Sequence, residues 1–301
     1  MQVTASELGI APFKEELFFG GHGACPGCGA VSALRQVMHA VGPKSYFFLL
    51  ASCAGSYFPG MFTVSGNPAI HCVYASGFAQ AEGMSRALEL RGRDADEKVV
   101  VWSGDGGCFD IGLGGLSGAA ERNANLLVFC NDNEGYQNTG GQQTGATPRG
   151  IVTKSTQPFQ QASPEARNRK DLLEMLAAHK VPYLATASAA FPKDLEAKVQ
   201  KALTYKGFRL IHLLTACLNW GFESQQAIRV ARTSVETGFF PLYEIEGGRR
   251  YRITHEPKFL PLEQFADLQR RMRGVDIDLL RRDIAERWAD LRYKADRPWP
   301  A

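Results

Sequence analysis

The sequence has no long apolar run and no marked excess of either charge. None of its stretches reaches the roughly 18 consecutive apolar residues of a membrane span. The first 20 residues carry Glu7, Lys14, Glu15 and Glu16, where a secretory signal would be apolar. Lysine and arginine total 34 against 31 acidic residues, a net charge of +3 that predicts no nucleic-acid partner. We therefore expect a cytoplasmic protein that binds neither membrane nor nucleic acid.

The sequence also lacks the even cysteine count of a disulfide-bonded, exported protein. It has seven cysteines and no export signal. In a reducing compartment such thiols are core residues or metal ligands. Cys72 and Cys130 lie inside apolar strand patterns and Cys108 lies in a turn, so we expect these three to be buried. The cysteines left as candidates for chemistry are Cys25, Cys28, Cys53 and Cys217.

The pattern of hydrophobic residues predicts the fold class. With 301 residues, 45% hydrophobic and 22% charged, the chain has enough apolar side chains for a full core. Short β-rich runs alternate with helical periods, which is the pattern of parallel βαβ units. We predict an α/β fold with a doubly wound, mostly parallel sheet. The predicted helices cover residues 30–41, 77–90, 171–179 and 192–205, and the predicted strands cover 46–51, 71–74, 98–103, 126–130, 182–187 and 208–216.

The pattern changes after Cys217. We expect a polar connection through residue 260 and then an amphipathic helix, because apolar residues recur every three or four positions. These residues are Ile277, Leu280, Ile284, Trp288 and Leu291. We predict an α/β domain of residues 1–235 and a C-terminal extension of residues 236–301. The helix pattern fits packing on its own domain and clamping of another subunit equally well.

A glycine-rich turn, Gly104-Asp105-Gly106-Gly107, follows the predicted strand 98–103. Glycines let the backbone approach a phosphate closely, and the N–H groups of such a turn, with a helix dipole behind them, bind an anion. The Asp105 carboxylate would repel a phosphate unless a divalent cation bridged the two. Mg²⁺ takes about six oxygen ligands, so a second protein ligand is expected nearby. On its own, Gly-Asp-Gly is more typical of a plain tight turn.

A second polar loop offers that ligand. Residues 126–130 form the next predicted strand, and the loop that follows contains Asn133. Asp105 and Asn133 therefore both lie just past the carboxyl ends of consecutive parallel strands, the edge at which open α/β sheets bind ligands. A dinucleotide-binding turn is the alternative. That turn requires Gly-x-Gly-x-x-Gly with an acidic residue about 20 positions later, and residues 104–108 do not continue in that way.

Four cysteines form the second candidate site. The segment Cys25-Pro-Gly-Cys28 lies just before the first helix, and two thiolates at this spacing can share one metal site. Cys53 and Cys217 follow predicted strands, so they project from the same sheet edge as the Gly-Asp-Gly turn. Four thiolates suit a structural Zn²⁺ or an iron–sulfur cluster, and spacing alone does not separate the two. A thioredoxin-like dithiol is disfavoured because that motif follows a strand.

Asp105 and Asn133, 28 positions apart, resemble the thiamine-diphosphate motif, in which Gly-Asp-Gly is followed after one βα unit by an asparagine-containing loop. With the cysteines, they make the chain similar to the beta subunits of the 2-oxoacid:ferredoxin oxidoreductase family, in particular pyruvate:ferredoxin oxidoreductase-like members. The resemblance extends from Phe18 to Leu291. It is carried by the segments Cys25-Pro-Gly-Cys-Gly-Ala, Gly104-Asp-Gly-Gly, Asp110-Ile-Gly-Leu, Asp132-Asn-Glu-Gly-Tyr, Asn138-Thr-Gly-Gly, Thr147-Pro and Val235-Glu-Thr-Gly.

The resemblance implies a set of site residues. The implied Mg²⁺ ligands are Asp105, Asn133 and the carbonyl of Gly135. The amides of Gly106 and Gly107 would meet the diphosphate of thiamine diphosphate, and Gly104 and Cys53 would also contact this cofactor. A four-iron, four-sulfur cluster would be bound by Cys25, Cys28, Cys53 and Cys217. Asn138 is similar to the family residue that contacts the oxygen atoms of the substrate, and a turn residue is the alternative there.

The implied activity is the oxidative decarboxylation of a 2-oxoacid. Thiamine diphosphate would serve as the electron sink, and the cluster would pass electrons to ferredoxin or a similar acceptor, which Zn²⁺ does not do. In most members coenzyme A accepts the acyl group. The glutamate that activates the cofactor's pyrimidine belongs to a second domain in this family. We therefore expect it on a partner subunit and assign it to neither Glu82 nor Glu134.

One segment departs from the family. Residues 54–62, Ala-Gly-Ser-Tyr-Phe-Pro-Gly-Met-Phe, stand where pyruvate-type relatives have a Leu-Glu pair, and they would shape the substrate pocket. The sequence therefore leaves the identity of the 2-oxoacid open. Two other function classes stand as alternatives. One is a non-redox thiamine-diphosphate decarboxylase or synthase subunit, which would share Asp105 and Asn133, and the other is a zinc-stabilised binding protein.

Overall fold

The computed structural model describes residues 16–57, 64–156 and 167–297. An eight-stranded sheet forms the centre of this part of the chain. Its strands are β1 (Ser45–Leu50), β2 (Ala69–Cys72), β3 (Lys98–Gly104), β4 (Leu127–Asp132), β5 (Tyr183–Ser188), β6 (Arg209–Leu214), β7 (Leu242–Glu246) and β8 (Arg250–His255). The spatial order is β2-β1-β3-β4-β6-β5-β7-β8, and the first six strands are parallel to their neighbours among them.

Helices cover both faces of the sheet. They are α1 (Gly29–Val41), α2 (Ala54–Tyr57), α3 (Gly77–Leu90), α4 (Leu113–Glu121), α5 (Leu172–Ala177), α6 (Pro192–Thr204), α7 (Ala227–Glu236), α8 (Glu263–Ala266) and α9 (Ile277–Ala295). Side chains of a strand alternate between the two faces. In β3, Val100 and Trp102 pack in one core with α1 and α6, whereas Val99 and Val101 pack in the other core with α3 and α4. This two-sided burial confirms the predicted doubly wound α/β fold.

The ten helices and strands predicted up to residue 216 are present, with ends shifted by at most two residues. The polar connection predicted after Cys217 is wrong, because the structure has α7, β7 and β8 there. Strand β7 pairs with β5 and β8 pairs with β7, both antiparallel. Strand β8, at the edge, alternates polar and apolar residues, because one face of an edge strand can meet solvent. In β7, Glu244 is buried and pairs with Lys201 and Arg252. The domain boundary at residue 235 stays a prediction, and the strands that follow it belong to the same sheet.

The order of the strands reverses between β1 and β3. Strand β2 lies on one side of β1, and β3 and the later strands lie on the other. In an open α/β sheet this reversal leaves a crevice beyond the carboxyl ends of the strands, and ligands bind there. The residues that follow β1, β3, β4 and β6 meet at this edge. They include Cys53, Asp105, Asn133 and Cys217.

Helix α9 packs on the sheet of its own chain. Leu280, Ile284, Trp288 and Leu291 are buried in the same core as one face of the strands. Trp288 Nε1 also donates a hydrogen bond of 2.8 Å to the carbonyl of Gly238. Burial of each such side chain stabilises the fold by about 1.5–3 kcal/mol. The amphipathic helix is thus confirmed, and packing on its own chain accounts for its apolar face. No helix of the described residues is both long and apolar enough to cross a bilayer.

Candidate active site

A cavity of about 470 Å³ lies beyond the carboxyl ends of β1, β3 and β4. The predicted site residues that line it are Cys53, Gly104, Asp105, Gly106, Asn133, Gly135 and Asn138. Gly107 is not among the lining residues, because its Cα faces inward: a Cβ atom there would lie 2.3 Å from Ser103 Oγ. The structure therefore brings the predicted Mg²⁺ ligands together with Gly104 and Gly106, two of the three glycines predicted to bind the cofactor.

The Gly-Asp-Gly-Gly turn is tightly packed. Gly104 ends β3, and Gly106–Asp110 forms one π-helical turn in which the N–H of Ile111 donates to the carbonyl of Gly106 at 2.9 Å. Such turns are rare and occur frequently at functional sites. A Cβ atom on Gly106 would lie 2.0 Å from the ring of Tyr136, so only glycine allows this close approach. The turn therefore presents bare backbone to the cavity.

Asp105 lies at the base of the cavity and is 3% exposed. Its carboxylate accepts a hydrogen bond of 2.7 Å from Thr144 Oγ1 and further hydrogen bonds from the backbone of Gly135 and Gly106. Burial, followed by the charge of Asp132, raises the pKa of Asp105 well above its usual range, and these hydrogen bonds oppose the rise. A buried carboxylate is stabilised by an adjacent cation, so the environment suits a metal ligand.

Asn133 directly follows β4 and is 6% exposed. Its backbone carbonyl accepts hydrogen bonds of 3.0 Å from Trp220 Nε1 and from Gln137 Nε2. Its side-chain Nδ2 lies 3.9 Å from Cys53 Sγ. The side-chain Oδ1 is buried and has no hydrogen-bond donor among the described residues. Because buried amide oxygens are normally paired, this oxygen, in the same cavity as Asp105, fits an oxygen ligand of Mg²⁺.

Both glutamates near this edge form ion pairs. Glu134 is buried with a left-handed φ of +60°. Its carboxylate lies 2.9 Å from Arg169 Nη1 and 2.5 Å from Arg271 Nη2. Glu82, on α3, pairs with Arg122 at 2.6 Å. These contacts agree with assigning neither glutamate as the acid that activates the cofactor's pyrimidine.

A smaller cavity, of about 80 Å³, adjoins the first one. Its walls include all four candidate cysteines, Cys25, Cys28, Cys53 and Cys217. Three residues line both cavities, namely Cys53, Asn133 and Asn138. The structure therefore gathers the four cysteines in one place, beside the predicted Mg²⁺ ligands. Within the described residues, no three His, Cys, Asp or Glu side chains are grouped closely enough to hold a single metal ion.

Glycines bring the first cysteine pair onto the end of β6. Gly27 has a left-handed φ of +79°, and a Cβ atom there would lie 2.4 Å from the carbonyl oxygen of Ser224. Gly29 donates its N–H to the carbonyl of Ala216 at 3.3 Å, and a Cβ atom on Gly29 would lie 2.8 Å from the same oxygen. Ala216 immediately precedes Cys217. The glycines of this segment are therefore what lets the first pair of cysteines approach the fourth.

Three of the four cysteines of the smaller cavity, Cys28, Cys53 and Cys217, are partly buried, whereas Cys25 is exposed. Burial is the main cause that raises the pKa of Cys53 to about 11 and that of Cys217 to about 12. Tyr57, at the end of α2, is fully buried, and its Oη lies 3.5 Å from Cys28 Sγ. Thiols bind a metal only by losing their protons, and a set of four sulfur donors fits an iron–sulfur cluster or zinc. Cys72, Cys108 and Cys130 are buried, as predicted.

Asn138 lies at the rim between the two cavities. It is exposed, and its Oδ1 accepts a hydrogen bond of 3.3 Å from Ser56 Oγ. Ser56 belongs to the segment 54–62, which was predicted to shape the substrate pocket, and it also lines the smaller cavity. Residues 58–62 of that segment lie outside the described residues.

Three residues of the site were not predicted from the sequence. Thr144 bonds the Asp105 carboxylate, and Trp220 bonds the carbonyl of Asn133. The Arg271 guanidinium lies 3.6 Å above the Trp220 ring. No local motif marks any of them. The one clue was the position of Trp220, three residues after a candidate metal-binding cysteine.

The sheet topology, the glycine turn and the buried side-chain oxygens of Asp105 and Asn133 are those expected of a domain that binds thiamine diphosphate. In agreement, the family described as thiamine pyrophosphate enzyme, C-terminal TPP binding domain, matches residues 45–213. A solved 2-oxoglutarate:ferredoxin oxidoreductase from Magnetococcus marinus has the same fold, with a TM-score of 0.58 at 22% identity over 70% of this chain and 69% of that chain.

Two relatives indicate which family of thiamine-diphosphate enzymes the chain belongs to. Pyruvate synthase subunit PorB of Methanothermobacter thermautotrophicus is 39% identical over 87% of this chain and 91% of its own length. Ketoisovalerate oxidoreductase subunit VorB of Pyrococcus abyssi is 37% identical over 95% of each chain. The chain belongs to the 2-oxoacid:ferredoxin oxidoreductase family, as the beta subunit that carries the thiamine-diphosphate domain. This confirms the resemblance inferred from the motifs.

Proposed function

We propose that this subunit holds thiamine diphosphate, Mg²⁺ and a four-iron, four-sulfur cluster, and that the assembled enzyme oxidatively decarboxylates a 2-oxoacid. The contact between the two cavities carries the proposal. Cys53 and Asn133 line both cavities, and their side chains approach to 3.9 Å. A cofactor in the larger cavity would therefore lie next to a cluster in the smaller one.

The larger cavity would hold the thiamine cofactor and its ion. Asp105 and Asn133 would bind Mg²⁺ through side-chain oxygens, and Gly135 through its carbonyl. The unpaired Oδ1 of Asn133 supports this role. Gly104 and Gly106 line this cavity and would lie against the diphosphate. The close approach of the Tyr136 ring leaves no room for a side chain at Gly106. When bound, thiamine diphosphate supplies the electron sink for decarboxylation, and the residues of this chain bind and orient it.

The smaller cavity would hold the cluster through Cys25, Cys28, Cys53 and Cys217. These cysteines border a space of about 80 Å³. A Zn²⁺ ion, with bonds of about 2.3 Å to sulfur, needs its four ligands packed around one centre instead. When bound, an iron–sulfur cluster supplies one-electron transfer, which Zn²⁺ does not. Ferredoxin or a similar carrier would accept the electrons.

The 2-oxoacid would enter the larger cavity, where the exposed Asn138 would contact its oxygen atoms. Relatives named for pyruvate and for ketoisovalerate are similarly close, at 39% and 37% identity. The size of the acid is therefore the first property to test. We expect the assembled enzyme to prefer one of pyruvate, ketoisovalerate and 2-oxoglutarate, and to need coenzyme A as acyl acceptor. Turnover that does not respond to coenzyme A would contradict the second part.

Partner subunits would complete the site. Glu82 and Glu134 are held in ion pairs, so the glutamate that activates the cofactor's pyrimidine would come from a partner. We propose that the complex works in the cytoplasm under anaerobic conditions.

Cofactor analysis of the anaerobically purified complex tests the proposal. We expect about four irons and four labile sulfides for each copy of this chain, together with thiamine diphosphate. Thiamine diphosphate without iron would favour a non-redox decarboxylase or synthase instead. Zinc without thiamine diphosphate or iron would favour a zinc-stabilised binding protein.

A further inference from the structure

Tyr57 lines the smaller cavity beside the four candidate cysteines. Its side chain is 1% exposed, and its Oη lies 3.5 Å from Cys28 Sγ. Tyr57 follows Cys53 by four positions at the end of α2, a spacing that places two side chains on one face of a helical turn. The phenol of Tyr57, four residues after the candidate ligand Cys53, therefore contacts the sulfur of a second candidate ligand, Cys28.

We propose that Tyr57 donates a hydrogen bond to the Cys28 thiolate of the bound cluster and thereby raises the reduction potential of that cluster. The inference rests on the proposed cluster. A cysteine that ligates a metal is a thiolate, so the phenol O–H is the donor in this contact. Hydrogen bonds to ligand sulfurs stabilise the reduced form, which carries more negative charge, and are among the factors that set cluster potentials.

The other hydroxyls of the cavity wall are engaged elsewhere. Thr215 Oγ1 donates to Asn131 Oδ1 at 2.7 Å. Ser56 Oγ donates to Asn138 Oδ1 at 3.3 Å. Among the hydroxyl side chains that line the cavity in the described residues, Tyr57 is thus the one with a cysteine sulfur as its partner. Its burial also keeps water from replacing the phenol as donor.

The Tyr57→Phe variant removes the hydroxyl and keeps the ring that fills the core. The measurement is a reductive titration of the anaerobically purified enzyme, followed by the electron paramagnetic resonance signal of the reduced cluster. We expect a more negative midpoint potential than in the wild type, with unchanged iron and sulfide content. The matched control is Tyr183→Phe, because Tyr183 is also buried but its Oη donates to Glu244 at 2.8 Å, at the opposite end of the sheet. That variant should keep the wild-type midpoint.

Each remaining outcome overturns the inference. A loaded Tyr57→Phe enzyme with the wild-type midpoint would show that the contact does not tune the cluster. A variant that binds no cluster at all would show that Tyr57 is needed for assembly instead. Partial loading with the cluster does not change the measured midpoint potential, since the signal arises only from molecules that contain the cluster. Wild-type enzyme without iron refutes the proposed cluster, and this role with it, before any variant is compared.

Discussion

The indole Nε1 of Trp220 donates a hydrogen bond of 3.0 Å to the backbone carbonyl of Asn133. Trp220 lies in a short 3₁₀ turn three residues after Cys217, and Asn133 directly follows β4. The bond therefore ties the loop of a candidate cluster ligand to the loop of a candidate Mg²⁺ ligand. The guanidinium of Arg271 stacks on the Trp220 ring, 3.6 Å from the ring centre. Asn133 lines both candidate cavities, so Trp220 supports a residue that the two cavities share.

The Trp220→Phe variant removes the N–H donor and keeps an aromatic ring. Loss of a buried hydrogen bond costs about 0.5–1.5 kcal/mol, so we expect thiamine diphosphate to bind about 2- to 10-fold more weakly in a titration of the purified enzyme. The control is Trp102→Phe, because Trp102 Nε1 has no partner among the described residues. It should lower stability and leave the affinity unchanged. Equal losses of affinity in both variants would contradict the role given to the hydrogen bond.

The Gly106→Ala variant tests the close approach of the glycine turn. The added Cβ atom would lie 2.0 Å from the Tyr136 ring, and overpacking of this kind costs about 1–3 kcal/mol. We expect a lower melting temperature and weaker thiamine-diphosphate binding. In Gly114→Ala, on α4, the Cβ atom meets nothing within 4 Å, and the change should stabilise the helix by about 0.5–1 kcal/mol. A Gly106→Ala protein with wild-type stability and affinity would show that the turn can relax.

The buried pair of Arg271 and Glu134 should stabilise the fold more than an exposed pair does. Their side chains are 8% and 0% exposed, against 51% for both Arg281 and Glu263. Leaving a buried charge unpaired costs about 3–5 kcal/mol, but Glu134 keeps Arg169 as a second partner, so we expect a loss of about 1–3 kcal/mol for Arg271→Met. We expect at most about 1 kcal/mol for Arg281→Met. Urea unfolding measures both, and equally small losses would show that Glu134 does not depend on Arg271.

Loss of one cluster ligand should empty the smaller cavity. We expect Cys217→Ser to retain thiamine diphosphate and to lose most of its iron and labile sulfide when purified anaerobically. The matched control is Cys130→Ala, which removes a fully buried thiol in the core. This control should be less stable but keep its iron. Wild-type iron content in Cys217→Ser would remove that residue from the ligand set.

Local patterns were sufficient to predict the sheet as far as β6, because β1, β3, β4, β5 and β6 are buried on both faces and are mostly apolar. Strands β7 and β8 were missed because charged residues interrupt their apolar residues. Their connection, residues 247–249, contains Gly247-Gly248 with φ values of +58° and +67°, which is a hairpin signal. Because the residues around this turn are mostly polar, the hairpin was not predicted from the sequence.

The candidate site was predictable where it depends on strand ends and not where it depends on packing. Parallel strands end at one edge, so the sequence indicated that Asp105 and Asn133 would meet there. Thr144 and Trp220 reach these residues from 39 and 87 positions away, and Arg271 reaches Glu134 from 137 positions away. Such distances leave no local pattern. Only the folded core brings these side chains into the site.

We propose that electrons from a 2-oxoacid pass between the two adjoining sites of this subunit. The most direct test mixes the anaerobic complex with its 2-oxoacid and coenzyme A, without ferredoxin, and follows the electron paramagnetic resonance signal of the cluster. We predict that the reduced-cluster signal rises in the wild type and stays absent in Asp105→Asn, which lacks the carboxylate ligand for Mg²⁺ but keeps its iron. If the wild-type complex contains the cluster and consumes the acid while the signal does not rise, electrons do not pass from the acid to this cluster.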